Sequence, residues 1–116
     1  MDEILQQALL YDFYGELLND HQKEIYEQFI LEDLSLSEIA EAEGISRQGV
    51  HDLVKRCQKA LEGYETRLHL VRRFLSIKEK VREMETLLDT AELTMENQGE
   101  LRRQFRELSD SILEVL

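Results

Sequence analysis

Apolar residues recur at spacings of three and four from one end of the chain to the other, and no stretch alternates with a period of two. The pattern predicts helices and no sheet. Ile4, Ala8, Tyr11 and Tyr14, with Leu17 and Leu18, mark a first helix over residues 3–18, its apolar face wide enough to be mostly buried. Asn19-Asp20 breaks it and offers an N-cap for a second helix. That helix runs to about Leu31 with Ile25, Tyr26 and Phe29 inward, and Glu32–Leu34 is a short link. Ser35-Leu36-Ser37-Glu38 reads as a capping box, the Ser35 hydroxyl accepting from the Glu38 amide while the Glu38 carboxylate reaches back. Gly44 stops this third helix as a C-cap able to take a positive φ, and Ile45 and a new N-cap, Ser46, follow at once. A short helix, a glycine turn and an immediate second N-cap form a helix–turn–helix signature.

Beyond Ser46 the apolar stripe is long. Val50, Val54, Cys57, Leu61, Tyr64, Leu68 and Val71 alternate steps of four and three, and Phe74, Ile77, Val81, Met84, Leu88, Ala91 and Met95 continue from a three-residue step. The two stripes are therefore offset by one residue: either one long helix carries a stammer or the chain bends, with Gly63 the favoured bend. Asn97-Gln98-Gly99-Glu100 resembles another capping box, opening a last helix with Leu101, Phe105, Leu108, Ile112 and Val115 along one side. No internal repeat of 20–50 residues is present.

At 116 residues this is one small domain, or one with an extension. Leu, Ile, Val and Phe together number 36, enough for a core, and with no proline and five glycines long loops are excluded. The longest apolar run, Ala8 to Tyr11, is too short for a membrane span, and the acidic start carries no secretory signal. A single cysteine, Cys57, fits a reducing compartment, so the expected location is the cytoplasm. The net charge of −11 conceals a division: residues 1–45 carry −11, residues 46–82 carry +6 and residues 83–116 carry −6. A uniformly acidic chain would repel nucleic acid. This one offers a basic middle, which as charge alone is equally a solvated helix face.

Projected at roughly 100° per residue, residues 46–61 put Val50, Val54, Cys57 and Leu61 on one side and Gln48, Asp52, Lys55, Arg56 and Lys59 opposite. His51 lies on the flank and Arg47 in the exposed first turn. In a helix–turn–helix the second helix enters the major groove with its first turns. The candidate nucleic-acid contacts are thus Ser46, Arg47, Gln48, His51, Lys55, Arg56 and Lys59. Arg47 is suited to guanine and Gln48 to adenine. Ser46 and the first-turn amides suit a phosphate, and Lys55, Arg56 and Lys59 suit the backbone. Gly49 leaves room for a close partner, whereas Asp52 opposes phosphate.

Ala40, Gly44, Val50 and Leu53 fall at the spacing of the small, turn and apolar positions of the helix–turn–helix, and here the chain resembles the last domain of bacterial sigma factors. The wider string is Phe13-Tyr14-Gly15-Glu16-Leu17-Leu18, Leu36-Ser37-Glu38-Ile39-Ala40-Glu41, Gly44-Ile45-Ser46-Arg47-Gln48 and Lys55-Arg56; it resembles the YlxM family over most of residues 10–75. That resemblance implies a small cytoplasmic bacterial protein, encoded beside the signal recognition particle GTPases and acting in or on that pathway. Family members often carry Ala and Tyr where this chain has Gly49 and His51, so a shared base preference does not carry over.

Other chemistry is thin. Glu65 and His69 share a face at i, i+4 without an evident third ligand and read as surface residues; His21 and His51 read as isolated. Cys57 lies on an apolar side and reads as an inert buried thiol, and Tyr11, Phe13, Tyr14, Tyr26 and Phe29 read as core. No phosphate loop, nucleophile–base pair or paired carboxylates point to an enzyme, and no cofactor or metal is expected. The fold expected is all-α: a sigma-region-4-like helix–turn–helix over residues 1–70, of the winged-helix-like DNA-binding type without a wing, then a helical extension over 71–116. The function expected is a nucleic-acid-binding regulator (DNA, with RNA open) tied to the signal recognition particle pathway. The alternative is a protein- or RNA-binding accessory module of that particle. Residues 74–116 are expected to pair two copies as a homodimer, with an antiparallel hairpin within one chain as the competing use of the same stripes.

Overall fold

Local capping decides where most of the helices start. In a computed structural model, which describes residues 2–90 and 94–116, α1 spans Glu3–Tyr14 and runs into a 3-10 turn at Gly15–Leu17. Next come α2 (Asp20–Ile30), α3 (Leu36–Glu43), α4 (Arg47–Leu68), α5 (Leu70–Thr90) and α6 (Gln98–Val115). No strand occurs among the described residues. Asn19 and Ser35 open α2 and α3 with complete capping boxes, closed by Gln22 and Glu38. Gly44 takes the left-handed conformation at φ 68°, and Ser46 caps α4 through the Gly49 amide at 2.9 Å.

The chain divides into two compact units, Met1–Val71 and Arg72–Leu116. In the first, α1, α2 and α3 each pack against α4. Val50, Val54, Cys57 and Leu61 form the buried stripe of α4, against Leu10, Tyr11, Tyr14, Leu18, Ile25, Tyr26, Ile39 and Ala40. The buried polar groups are paired. Tyr26 donates its hydroxyl to Gln7 Oε1 at 3.2 Å, and Gln7 Nε2 donates to Glu62 at 3.0 Å; the Tyr11 hydroxyl donates to Glu27.

Several expectations are corrected. The first helix ends at Tyr14 rather than reaching residue 18, because Gly15 is pressed under the Tyr11 ring as the chain tightens into the 3-10 turn. Its outer apolar residues Ile4 and Leu17 are more than half exposed, and Phe13, expected in the core, is over a third exposed. The chain does not bend at Gly63, which sits inside α4; the break is at His69, left-handed at φ 57°. Hydrogen bonds between residues distant in sequence hold that break. The Tyr14 hydroxyl donates to Glu65 Oε1 at 2.6 Å and accepts from the Leu70 amide at 3.0 Å, while the same Glu65 oxygen accepts from the Val71 amide. The first amides of α5 are thus capped from α1 and α4.

In the second unit α5 and α6 run antiparallel, with Lys80 Nζ donating to the Ser111 carbonyl at 3.2 Å. No residue of α6 is fully buried, and Leu88, Leu113 and Leu116 are each more than half exposed. Asn97 does not cap α6 as expected. The box lies one turn earlier, where Thr94 Oγ1 accepts from the Asn97 amide and Asn97 Oδ1 accepts from the Thr94 amide. Ala91, expected in the α5 stripe, lies outside the described residues.

Two glycines give opposite expectations. A Cβ on Gly63 would meet nothing within 4 Å, so Gly63→Ala should raise stability by about 0.5–1 kcal/mol through backbone entropy alone. A Cβ on Gly15 would stand 2.7 Å from the Tyr11 ring, which is fixed by Tyr26 and Glu27, so Gly15→Ala should destabilise by about 1–3 kcal/mol. Urea denaturation of both variants checks the pair.

Burial also sets an alkaline limit. It pushes the Cys57 thiol up to about 11 and Tyr26 up to about 12, and raises Tyr11 and Tyr14, whose hydrogen bonds to Glu27 and Glu65 add to the effect. Each folded-state value lies above the unfolded one, so the unfolded chain loses these protons first. Stability should be constant up to about pH 9, fall as pH rises towards about 12, and track the appearance of tyrosinate absorbance. Denaturation series at pH 8, 10 and 11 would show it; equal midpoints would contradict the burial of these groups.

Candidate nucleic-acid interface

The polar face of α4 follows from its buried one. Because Val50, Val54, Cys57 and Leu61 are held inward by three other helices, the residues opposite them must face water. Ser46, Arg47, Gln48, Lys55, Arg56 and Lys59 are all exposed, and His51 is half-buried on the flank. The structure therefore brings the seven predicted residues together on one helix and its N-cap, along the side away from the core. Among the described residues none of Arg47, Lys55, Arg56 and Lys59 makes an ion pair, so their positive charge is uncompensated at short range.

The first turn is already organised. The Ser46 oxygen is occupied by the Gly49 amide, and the Ser46 carbonyl accepts from Val50, which leaves the Arg47 and Gln48 amides directed outward at the positive end of the helix. A Cβ at Gly49 would stand 3.1 Å from the Ser46 hydroxyl. The space at Gly49 is thus partly taken by the cap itself rather than open to a partner. Asp52 has a role its charge did not disclose: its Oδ1 accepts from Gln48 Nε2 at 2.9 Å and lies 3.4 Å from His51 Nδ1. It orients Gln48, one of the two candidate base-reading side chains, and lies beside His51 on the flank. The i, i+4 spacing of Gln48 and Asp52 was the available signal for this.

The other candidates fall out differently. Glu65 and His69 do not form a ligand pair, because Glu65 is engaged by Tyr14 and Val71 and His69 has left the helix. His21 is not isolated: it, Glu24 and Glu43 place one potential ligand atom each within 4.8 Å of one another, bridging α2 and the end of α3. Glu43 also accepts from Gln28 Nε2 at 2.6 Å, and the His21 and Glu24 side chains are exposed. The fold adjacency of α2 and α3, 19 residues apart at these positions, is what hid the group. Cys57 is buried, and burial raises it away from the thiolate. Among the described residues no helix is long and apolar enough to cross a membrane.

Comparison with known proteins agrees with this geometry. A family model described as "Putative helix-turn-helix protein, YlxM / p13 like" matches residues 1–103. A UPF0122 protein of Thermoanaerobacter sp. (strain X514) is 51% identical over 80 residues, which is 69% of this chain and 68% of that protein. One from Symbiobacterium thermophilum is 44% identical over 94 residues, 81% of this chain and 88% of its own. One from Acetivibrio thermocellus is 47% identical over 89 residues, covering 77% and 74%. With an all-helical fold, a short helix joined through a left-handed glycine to a capped second helix, and a match along most of its length, the chain belongs to the UPF0122 family of YlxM / p13-like helix-turn-helix proteins.

Proposed function

We propose that this protein is a nucleic-acid-binding regulatory protein that reads its target with the first turns of α4. The observation that carries the reading is the unpaired basic row Arg47, Lys55, Arg56 and Lys59 on the solvent side of a helix whose other side is locked into the core. Arg47 and Gln48, at the helix start, have the reach for base edges, and Gln48 is pre-oriented by Asp52. Lys55, Arg56 and Lys59 lie further along and serve the phosphate backbone. The acidic surroundings favour a narrow contact: Glu38 and Glu41 on the exposed side of α3 repel a polyanion that strays from α4. Binding is accordingly weak and strongly salt-dependent. The resemblance to YlxM proteins supports placing this activity in or beside the signal recognition particle pathway.

A second reading rests on the charge of residues 1–45, which carry −11 with Lys23 as their one basic residue, already paired with Glu16 at 3.0 Å. In that reading the acidic surface binds a basic protein of the particle, and α4 contacts RNA without sequence-specific binding to DNA. A pull-down from cell lysate with and without nuclease separates the two. Partners lost on nuclease treatment support nucleic-acid binding; protein partners retained support the acidic surface.

Replacing Lys55 and Arg56 together by Ala should weaken binding to every sequence alike and lower the salt slope, log K against log salt, by about two. Arg47→Ala should instead reduce discrimination between duplexes more than it reduces non-specific affinity. Fluorescence anisotropy at 50–200 mM salt, with mixed-sequence duplex DNA and a structured RNA, provides both readouts. Absence of retention of either at the lowest salt would end the nucleic-acid reading.

A further inference from the structure

We infer that the α5–α6 unit is an antiparallel dimerisation element, in which α6 of a second copy lies along the groove beside Arg102, Arg106 and Asp110. The groove is an apolar channel of about 1220 Å³ whose α5 wall is Met84, Leu87 and Leu88. On the α6 wall Leu101 and Phe105 are flanked by Arg102, Arg106 and Asp110. On this side, then, the charges of α6 look across at apolar side chains of α5 and not at opposite charges.

The occupant is identified by the order of charge along α6. Arg102, Arg106, Asp110 and Glu114 recur every four residues, a single row on the helix surface, basic in its first half and acidic in its second. That order runs against the helix macrodipole at both ends, and an arginine before an acid is the weaker i, i+4 arrangement. Among the described residues neither Arg102 nor Arg106 makes an ion pair, although the neighbouring Arg103 bridges Glu100 and Glu107. An antiparallel copy of the same row corrects all of this. With the twofold axis at the level of Leu108, Arg106 of each copy faces Asp110 of the other, and Arg102 faces Glu114. The row is self-complementary only in the antiparallel sense, as a closed twofold pair requires. The apolar surface left uncovered in the single chain, Leu88 at 69% and Leu113 at 66% exposure, lies on the same unit and adds to what a second copy would cover.

The test uses the full chain in sedimentation equilibrium at micromolar to tens of micromolar concentration. Wild-type protein is expected to be a dimer, and R102E/R106E, which sets acid against acid in the pair, to dissociate at least tenfold more readily. Adding D110R and E114R reverses the whole row and should restore dimerisation. That rescue separates a broken interface from a broken helix, and circular dichroism confirms that helix content is retained. A wild-type monomer at tens of micromolar overturns the inference. So does a dimer indifferent to R102E/R106E, or one that the fourfold reversal fails to restore.

Discussion

Burial of one stripe on α4 organises the first unit. Val50, Val54, Cys57 and Leu61 are each almost wholly removed from water, and α1, α2 and α3 all pack against the helix that carries them. A helix pinned in this way has no rotational freedom about its axis. Rotating it by even one residue position would bring Lys55 or Arg56 towards the interior, and an unpaired buried cation costs several kcal/mol. The orientation of the basic face is therefore a consequence of packing, and any binding surface there is rigid before a partner arrives. The capping of Ser46 and the Gln48–Asp52 hydrogen bond extend that rigidity to the helix start.

The polar groups inside the unit tie its two ends to the same helix. Gln7 links Tyr26 of α2 to Glu62 of α4, and Tyr14 links α1 to Glu65 and to the Leu70 amide, the first of α5. The bonds from Gln7 and Tyr14 to α4 and α5 join residues more than fifty positions apart. Those from Tyr14 engage the residues on either side of His69, which is left-handed although it is not a glycine. Charge is partitioned along the same lines. Residues 1–45 are acidic, with Lys23 their one basic residue, paired with Glu16, whereas Arg47, Lys55, Arg56 and Lys59, which make no ion pair among the described residues, all lie on α4.

What could be read from the sequence was what is decided within one turn. Ser35 with Glu38, the left-handed Gly44 and the Ser46 cap are local chemistry, and the 4-3-4 spacing from Val50 to Leu61 is local periodicity, so the helix–turn–helix was legible from them. The second-helix start was visible at Asn19 for the same reason, with Gln22 as the partner that closes its box. The break at His69 was illegible because the groups that stabilise it, Tyr14 and Glu65, meet only in the folded chain; Gly63, intrinsically the weaker helix former, is simply accommodated in α4. The burial of Gln7 and the approach of His21 to Glu43 were hidden likewise. At α6 the error was one of register: Asn97 and Thr94 exchange reciprocal bonds, and sequence alone favours the asparagine as the cap. Of the candidate site, position on an exposed face was legible from helical projection, whereas the part played by Asp52 required its two hydrogen bonds.

The central claim is that α4 is a rigid, outward-facing contact surface. Amide chemical-shift mapping by NMR, titrating full-length protein with duplex DNA and with structured RNA at low salt, addresses it most directly. Shifts concentrated in residues 46–59, fading as salt is raised, with α3 and residues 72–116 little changed, are the predicted result. Shifts centred on the acidic helices α1 to α3, or none anywhere along α4, would contradict it.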